Sequence, residues 1–179
     1  MKKNFLLLII LFVFYSANAQ NGTDLYQKNN EIKLNALAPL WQSFQVGYER
    51  HLNHNSSLGI SFYYVFDNKK NEKDLNYSIS PYYRRYFGKK YASGWFVEGF
   101  GMLASTDGKK IYASEDHSIY TENPDVINFA LGAGGGWKWV SKSGFLFEAN
   151  IGYGGILINA DKTDHTIVAK FGLSAGYRF

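Results

Sequence analysis

The segment Thr166 to Phe179 constrains the fold more than any other. Ile167, Ala169, Phe171, Leu173, Ala175, Tyr177 and Phe179 form one alternate row, apolar apart from a phenol hydroxyl. Thr166, Val168, Lys170, Gly172, Ser174, Gly176 and Arg178 form the other, small or polar except for Val168. Successive side chains of a strand point to opposite faces, so this alternation predicts a strand with one apolar and one wet face. An aromatic residue at the end of such a strand suggests an outer-membrane β-barrel. There the outward row meets lipid and the inward row a polar interior.

The N-terminus fits that setting. Met1-Lys2-Lys3, the apolar run Phe5 to Tyr15 and Ala17-Asn18-Ala19 have the order of a secretory signal peptide. Cleavage is expected between Ala19 and Gln20, giving a signal peptide over 1–19, a polar tail over 20–30 and a barrel over 31–179. The chain has no cysteine, which excludes acylation on a mature N-terminal Cys, disulfides and thiolate metal sites. Loss of Lys2 and Lys3 takes the 19 basic residues to 17 against 15 acids, a mature balance of +2 that does not point to nucleic acid. No later apolar run approaches helix-spanning length, so a membrane crossing would have to use strands.

Alternation predicts eight strands: 31–38, 41–52, 58–66, 75–87, 95–104, 126–140, 145–158 and a last one over the C-terminal stretch. Pro81 is a misfit inside the fourth and predicts a bulge, because proline donates no ladder bond. In the fifth, Glu98 pointing inward would take Phe96 and Phe100 with it and leave Gly99 and Gly101 outside. The expected fold is all-β, an eight-stranded antiparallel up-and-down transmembrane β-barrel, with a lumen only wide enough for side chains and no wide pore. Short turns near 53–57, 88–94 and 141–144 would face the periplasm. Connections near 39–40, 67–74, 105–125 and 159–165 would lie outside, all long except the first.

Three residue sets follow from this register. Phe87, Trp95, Trp137, Trp139 and Phe145 fall at periplasmic strand ends, where an interfacial aromatic girdle belongs. Lys170, Gly172, Ala175, Tyr177 and Phe179 have the spacing of a C-terminal assembly signal. Lys33, Glu49, Arg84, Glu98, Lys138, Glu148 and Arg178 point inward near the same end. Opposite signs fall on neighbouring strands: Lys33 beside Glu49, Arg84 beside Glu98, and Glu148 between Lys138 and Arg178. An unpaired buried charge is costly, so these charges predict a paired interior plug rather than acid–base machinery.

Glu31-Ile-Lys-Leu-Asn-Ala-Leu, Gly47-Tyr-Glu-Arg, Ser56-Ser-Leu-Gly-Ile-Ser, Pro81-Tyr-Tyr-Arg-Arg-Tyr-Phe-Gly-Lys-Lys, Phe96-Val-Glu-Gly-Phe-Gly, Lys142-Ser-Gly-Phe-Leu-Phe-Glu and Gly176-Tyr-Arg-Phe carry a family resemblance. Together they resemble a family of small uncharacterised outer-membrane β-barrel proteins of Bacteroidetes, and more distantly the OmpA-type transmembrane barrel. The resemblance spans nearly all of the mature chain. It implies location and architecture, and no catalytic residue.

Other chemistry is weaker. Gly132-Ala-Gly-Gly-Gly lacks the strand–loop–helix context and the Lys-Ser/Thr of a phosphate loop; glycines that let barrel strands curve and pack explain it better. His51, His54, His117 and His165 fall at opposite ends of the expected barrel, against a shared metal site. Ser114 with Glu115, Asp116 and His117 offers only a loop to a hydrolase triad. Lys69, Lys70, Lys73, Lys109 and Lys110 could meet lipopolysaccharide phosphates, but Asp67, Glu72, Asp74 and Asp107 interleave with them. Ile111, Tyr112, Ile119 and Tyr120 would form either a contact surface or an outer hairpin.

The expectation is an integral outer-membrane barrel of a Gram-negative bacterium with a structural or surface-interaction role, no cofactor and no enzymatic activity. Its expected partners are outer-membrane lipids, lipopolysaccharide, the barrel assembly machinery and an extracellular or envelope partner, with no nucleic acid. The alternatives are a lipid-modifying barrel enzyme and a secreted soluble barrel binding an apolar ligand, the latter requiring apolar rows inside.

Overall fold

The computed structural model describes residues 28–66, 75–108, 110–112, 120–122, 124–163 and 166–179. The expected signal peptide, most of the tail, the loop lysines Lys69, Lys70, Lys73 and Lys109, the Ser114–His117 segment and His165 lie outside them. Ten strands are described: β1 Asn30–Asn35, β2 Ser43–Asn53, β3 Ser56–Val65, β4 Leu75–Tyr86, β5 Gly94–Thr106, β6 Lys110–Tyr112, β7 Tyr120–Glu122, β8 Val126–Val140, β9 Phe145–Ile158 and β10 Ile167–Arg178. Eight of them close into one antiparallel barrel in the order β1-β10-β9-β8-β5-β4-β3-β2, while β6 and β7 pair as a separate hairpin. Each barrel strand neighbours the next barrel strand in sequence, and β10 returns to β1, so the barrel itself has no open edge.

Alternation decides which side chains enter the lumen. Along β4, Asn76, Ser78, Ser80, Tyr82, Arg84 and Tyr86 are buried, while Tyr77, Ile79, Pro81, Tyr83 and Arg85 are exposed. In β5 Phe96, Glu98 and Phe100 point inward and Gly99 outward, the register expected from Glu98. The outer face carries Ile32, Leu34, Phe44, Ile60, Phe62, Leu131, Ile151, Phe171 and Leu173 among its exposed apolar residues. The apolar rows lie outside and the paired ionic residues Lys33, Glu49, Arg84, Glu98, Lys138 and Glu148 inside, the reverse of what a soluble barrel with an apolar lumen requires.

One end of the barrel, here the turn end, holds the short connections around residues 54–55, 87–93 and 141–144 and the outer termini of β1 and β10. Asn30 and Phe179 close it by mutual backbone bonds of 3.1 and 2.8 Å. The opposite loop end carries the remaining connections and the β6–β7 hairpin, which answers to the outer hairpin expected within 105–125.

Several local expectations are corrected. The first strand stops at Asn35, not Ala38, because the Asn35 Oδ1 accepts the Leu37 amide at 3.0 Å and turns the chain. Pro39 then starts a short 3-10 helix over Ala38–Trp41, which buries Ala38 instead of exposing it. Gln42, at a left-handed φ of 52°, delays the second strand to Ser43. The first loop-end connection therefore covers 36–42, not the tight 39–40.

Pro81 makes no bulge. It faces Ile60 in an unbroken β3–β4 register, and the Ile79–Leu103 and Tyr82–Phe100 pairs on its other side share one register. The Ser80 hydroxyl donates to the Gly101 carbonyl at 2.8 Å, supplying a donor beside the residue that has none. The register shifts instead occur at His51/Asn53, Leu75/Tyr77 and Phe129/Ala130. β5 runs on through Ser105 and Thr106, which pair with Ile127 and Val126.

The glycines of β8 make room inside the barrel. A Cβ at Gly132 would stand 2.3 Å from the Phe100 ring, and one at Gly136 2.7 Å from the Phe96 ring. The Gly132-Ala-Gly-Gly-Gly run is thus a socket for two inward aromatic rings, not a phosphate cradle.

Candidate functional site

The turn-end half of the lumen is filled by ion pairs, and strand register explains how they meet. Glu49 on β2 is fully buried and lies at the centre. Its Oε2 accepts Lys33 Nζ at 2.6 Å, an Arg84 guanidinium N–H at 3.0 Å and the Tyr82 hydroxyl at 3.2 Å. Its Oε1 accepts Lys138 Nζ at 2.9 Å, the Ser57 hydroxyl at 2.7 Å and the Tyr86 hydroxyl. Donors from β1, β3, β4 and β8 therefore converge on one carboxylate.

Around this centre, Arg84 spans three carboxylates: Glu98 at 2.7 Å, Glu148 at 2.7 Å and Glu49. Lys33 also meets Glu148 at 2.9 Å, and Lys138 meets Glu31 at 2.6 Å. Removing such charges from water costs several kcal/mol per ion in order of magnitude, which only multiple close partners offset. Every carboxylate here has at least two cationic partners, so that condition is met.

Each of the seven inward charges read from the sequence lies in this lumen, but one partnership is corrected. Arg178 contacts Glu31, at 2.6 Å, and not Glu148. Arg178 stands opposite Glu31 in the β1–β10 ladder, whereas Glu148 stands opposite Ser174. Arg178 also donates to the Tyr91 and Ala92 carbonyls at 3.0 and 2.8 Å, pinning the 87–93 turn across the end of the barrel.

Three members of the cluster were missed in the sequence. Glu31 begins the first strand, and its place two residues before Lys33 in the inward row was the available signal. Lys170, which stands in the inward row of the last strand as well as in the assembly-signal spacing, pairs with Glu98 at 3.0 Å. His51 lies with Nε2 3.0 Å from Glu31 Oε1, its ring edge-on to Tyr91.

Glu31, Glu49 and His51 bring potential ligand atoms within 4.8 Å of one another, a spacing that could hold a metal ion. The chemistry argues against it. Both Glu31 oxygens already meet Arg178 or Lys138, and both Glu49 oxygens meet Lys138, Lys33 or Arg84, so a divalent ion would sit among ammonium and guanidinium groups. Ser57 and His51 face each other in the β2–β3 ladder, as the two members of a hydrolase pair would. The Ser57 hydroxyl, however, donates to Glu49 rather than His51, and both residues are buried. A substrate has no approach to a hydroxyl held there.

The remaining sequence-named residues lie elsewhere. Phe87, Trp95, Trp137 and Trp139 are exposed on the outer wall near the turn end. Trp95 faces Trp137 in the ladder, Trp139 stacks on Phe147 at 5.9 Å, and Phe145 meets Tyr177 edge-on at 5.5 Å. On β10, Ala175 and Phe179 face outward, Gly172 and Lys170 inward, and Tyr177 is half-buried. Beside Gly172, a Cβ would meet the Asn35 and Asn150 side-chain amides at 2.9 and 3.0 Å.

These features define an up-and-down eight-stranded barrel with an apolar exterior and an ion-paired lumen. The chain belongs to the family described as "Protein of unknown function (DUF3575)", whose model matches residues 5–179. No curated protein matches it. Among solved structures it is similar to the N-terminal β-barrel domain of Pseudomonas aeruginosa OprF, at 15% identity and a TM-score of 0.52, covering 86% of this chain and 98% of that one. The Yersinia pestis outer membrane protein Ail aligns at 20% identity with a TM-score of 0.43, covering 86% of this chain and 100% of that one. The likeness to the OprF domain agrees with the barrel fold.

Proposed function

We propose that this chain is an integral outer-membrane barrel of a Gram-negative bacterium, of the Bacteroidetes type that its motifs resemble. In this reading its role is structural or exercised at its loop surface, and it is neither a wide pore nor an enzyme. The carrying observation is the inversion of polarity: an apolar outer wall, with Trp95, Trp137 and Trp139 at the turn end of β5 and β8, around a lumen whose turn-end half is filled by Glu49 and its donors. Exposed apolar rows of that extent are stable against lipid and not against water. Lipids of the outer membrane, lipopolysaccharide and the barrel assembly machinery are the partners this reading supplies, with the turn end toward the periplasm and the loop end toward an extracellular or envelope partner.

Fractionation tests the location, combined with a gel comparison of boiled and unboiled samples. The protein should sediment with outer membranes and shift in mobility on boiling; recovery in the soluble periplasmic fraction would overturn the proposal. Orientation is tested with the cysteine-free background. Ser143→Cys, in the 141–144 turn, should react with an impermeant reagent only after lysis.

A further inference from the structure

Among the described residues the loop-end half of the lumen is only partly filled, by Tyr82, Phe100, Met102, Ala104, Ala130 and Ile156. A cavity of about 260 Å³ lies there, walled by the inward Tyr63, Leu75 and Met102, with Lys170 among its polar residues and the outward-exposed Trp41 and Phe171 at its border. Below it a further void of about 30 Å³ shares Asn35, Gln45, Ser61 and Lys170 with the cavity and reaches Lys33, Arg84 and Glu148. The ion-paired cluster is therefore the floor of a blind pocket.

The floor is not neutral. Five cations, Lys33, Arg84, Lys138, Lys170 and Arg178, face four carboxylates, Glu31, Glu49, Glu98 and Glu148. Lys33, Arg84 and Lys138 each contact two or more carboxylates, and Arg178 adds two backbone carbonyls to Glu31. Lys170 has one carboxylate, Glu98, and otherwise lies over the Tyr82 and Phe100 rings at 4.9 and 4.7 Å. The surplus positive charge thus falls on the ammonium that lines both voids. Of the residues lining the lower void, three are cationic and only Glu148 is anionic.

From this geometry we propose that the loop-end cavity is a binding site for a small organic anion, a carboxylate on a compact aromatic or aliphatic body. The carboxylate accepts from Lys170, which has N–H donors beyond the one given to Glu98, and Gln45, whose Oε1 is held by Asn35, lines the same cavity. The body packs against Tyr63, Leu75 and Met102. The volume lies just under the range of about 300–1,000 Å³ usual for drug-sized ligands, which sets the size of the guest. A charge pair made by the buried Lys170 ammonium is stronger than one on an open surface.

Met102 provides the readout. The sequence has two methionines, Met1 and Met102, so after removal of the signal peptide a ¹³C-methyl methionine label reports only from the cavity wall. The refolded barrel is titrated with phenylacetate and with its neutral isostere phenylacetamide. The Met102 methyl signal should shift saturably with the acid at a concentration at least tenfold below that needed for the amide. Lys170→Gln, which leaves Glu98 paired with Arg84, should remove the preference for the acid, and Lys170→Arg should keep it. Equal response to acid and amide in the unaltered barrel, or no shift with either, would overturn the proposal whether or not the variants fold. So would an acid preference that survives Lys170→Gln.

Discussion

Glu31 and Arg178 stand opposite each other in the ladder that joins the first strand to the last, with the guanidinium Nε and a terminal nitrogen 2.8 and 2.6 Å from one carboxylate oxygen. The barrel is thus closed at the turn end by a buried ion pair as well as by backbone bonds. Both residues are fully buried, and each has other partners: Lys138 for Glu31, the Tyr91 and Ala92 carbonyls for Arg178. Removing one member of a buried pair costs on the order of 3–5 kcal/mol, because the other is left charged and under-partnered. Glu31→Ala and Arg178→Ala should each lower the urea midpoint of the refolded barrel. The double variant should lose clearly less than the sum; strict additivity would show that the two residues do not act on each other.

The connectivity around Glu148 makes a sharper prediction. Glu148 meets Lys33 and Arg84 across the lumen, whereas Arg178 belongs to Glu31. Glu148→Ala should destabilise the barrel, and Lys33→Met should recover part of the loss by removing a cation that has lost one of its two carboxylates. Combined with Arg178→Ala, the Glu148→Ala loss should depart less from additivity than with Lys33→Met, because Glu148 and Arg178 are joined only through Lys138 and Glu31. Coupling to Arg178 as large as that to Lys33 would contradict the observed pairing.

What could be read from the chain depended on the range of each interaction. The period-two alternation sets the face of every residue in a strand, so the inward positions of Glu49, Arg84, Glu98 and Lys138 were legible without coordinates. Partners across the lumen were not. Arg84 reaches Glu148 on β9, a strand it does not pair with, because a narrow barrel brings opposite walls within side-chain reach. A strand end was misread where a side chain turns the backbone, as Asn35 does, and a bulge was wrongly expected where a hydroxyl supplies a donor beside proline, as Ser80 does beside Pro81. The loop-end cavity was invisible for a related reason. It depends on which inward residues are small, such as Ser61, Ser78 and Ser80, at one height on several strands.

Tyr82 and Gly59 supply a packing test. A Cβ at Gly59 would stand 2.3–2.6 Å from the Tyr82 ring and hydroxyl. That ring is held by the Arg84 guanidinium at 4.4 Å, by the lysines over it and by its bond to Glu49, so it has little freedom to retreat. Overpacking of this kind typically costs about 1–3 kcal/mol. Gly59→Ala should therefore destabilise the barrel by that order, yet have little effect in a Tyr82→Leu background. A Gly59→Ala barrel as stable as the parent would mean that the ring is not fixed where the structure places it.

The last residue joins two roles that a pair of variants can separate. The Phe179 amide and carbonyl bond to Asn30 at 2.8 and 3.1 Å, while its ring is exposed on the outer wall. Those backbone bonds serve closure of the barrel; the ring, with Tyr177 and Ala175, is the part expected to be read during assembly. Phe179→Ala keeps the backbone bonds and removes only an outward ring, so the refolded barrel should keep its urea midpoint within about 0.5 kcal/mol, as for most surface substitutions. The same variant should reach the outer membrane more slowly in cells and expose unassembled chain to periplasmic proteases. Deletion of Phe179 removes both contributions and should lower the urea midpoint as well as the insertion rate. Insertion of Phe179→Ala at the parental rate would count against the C-terminal ring as an assembly signal, and an unchanged midpoint on deletion would mean that the Asn30 bonds contribute little to closing the barrel.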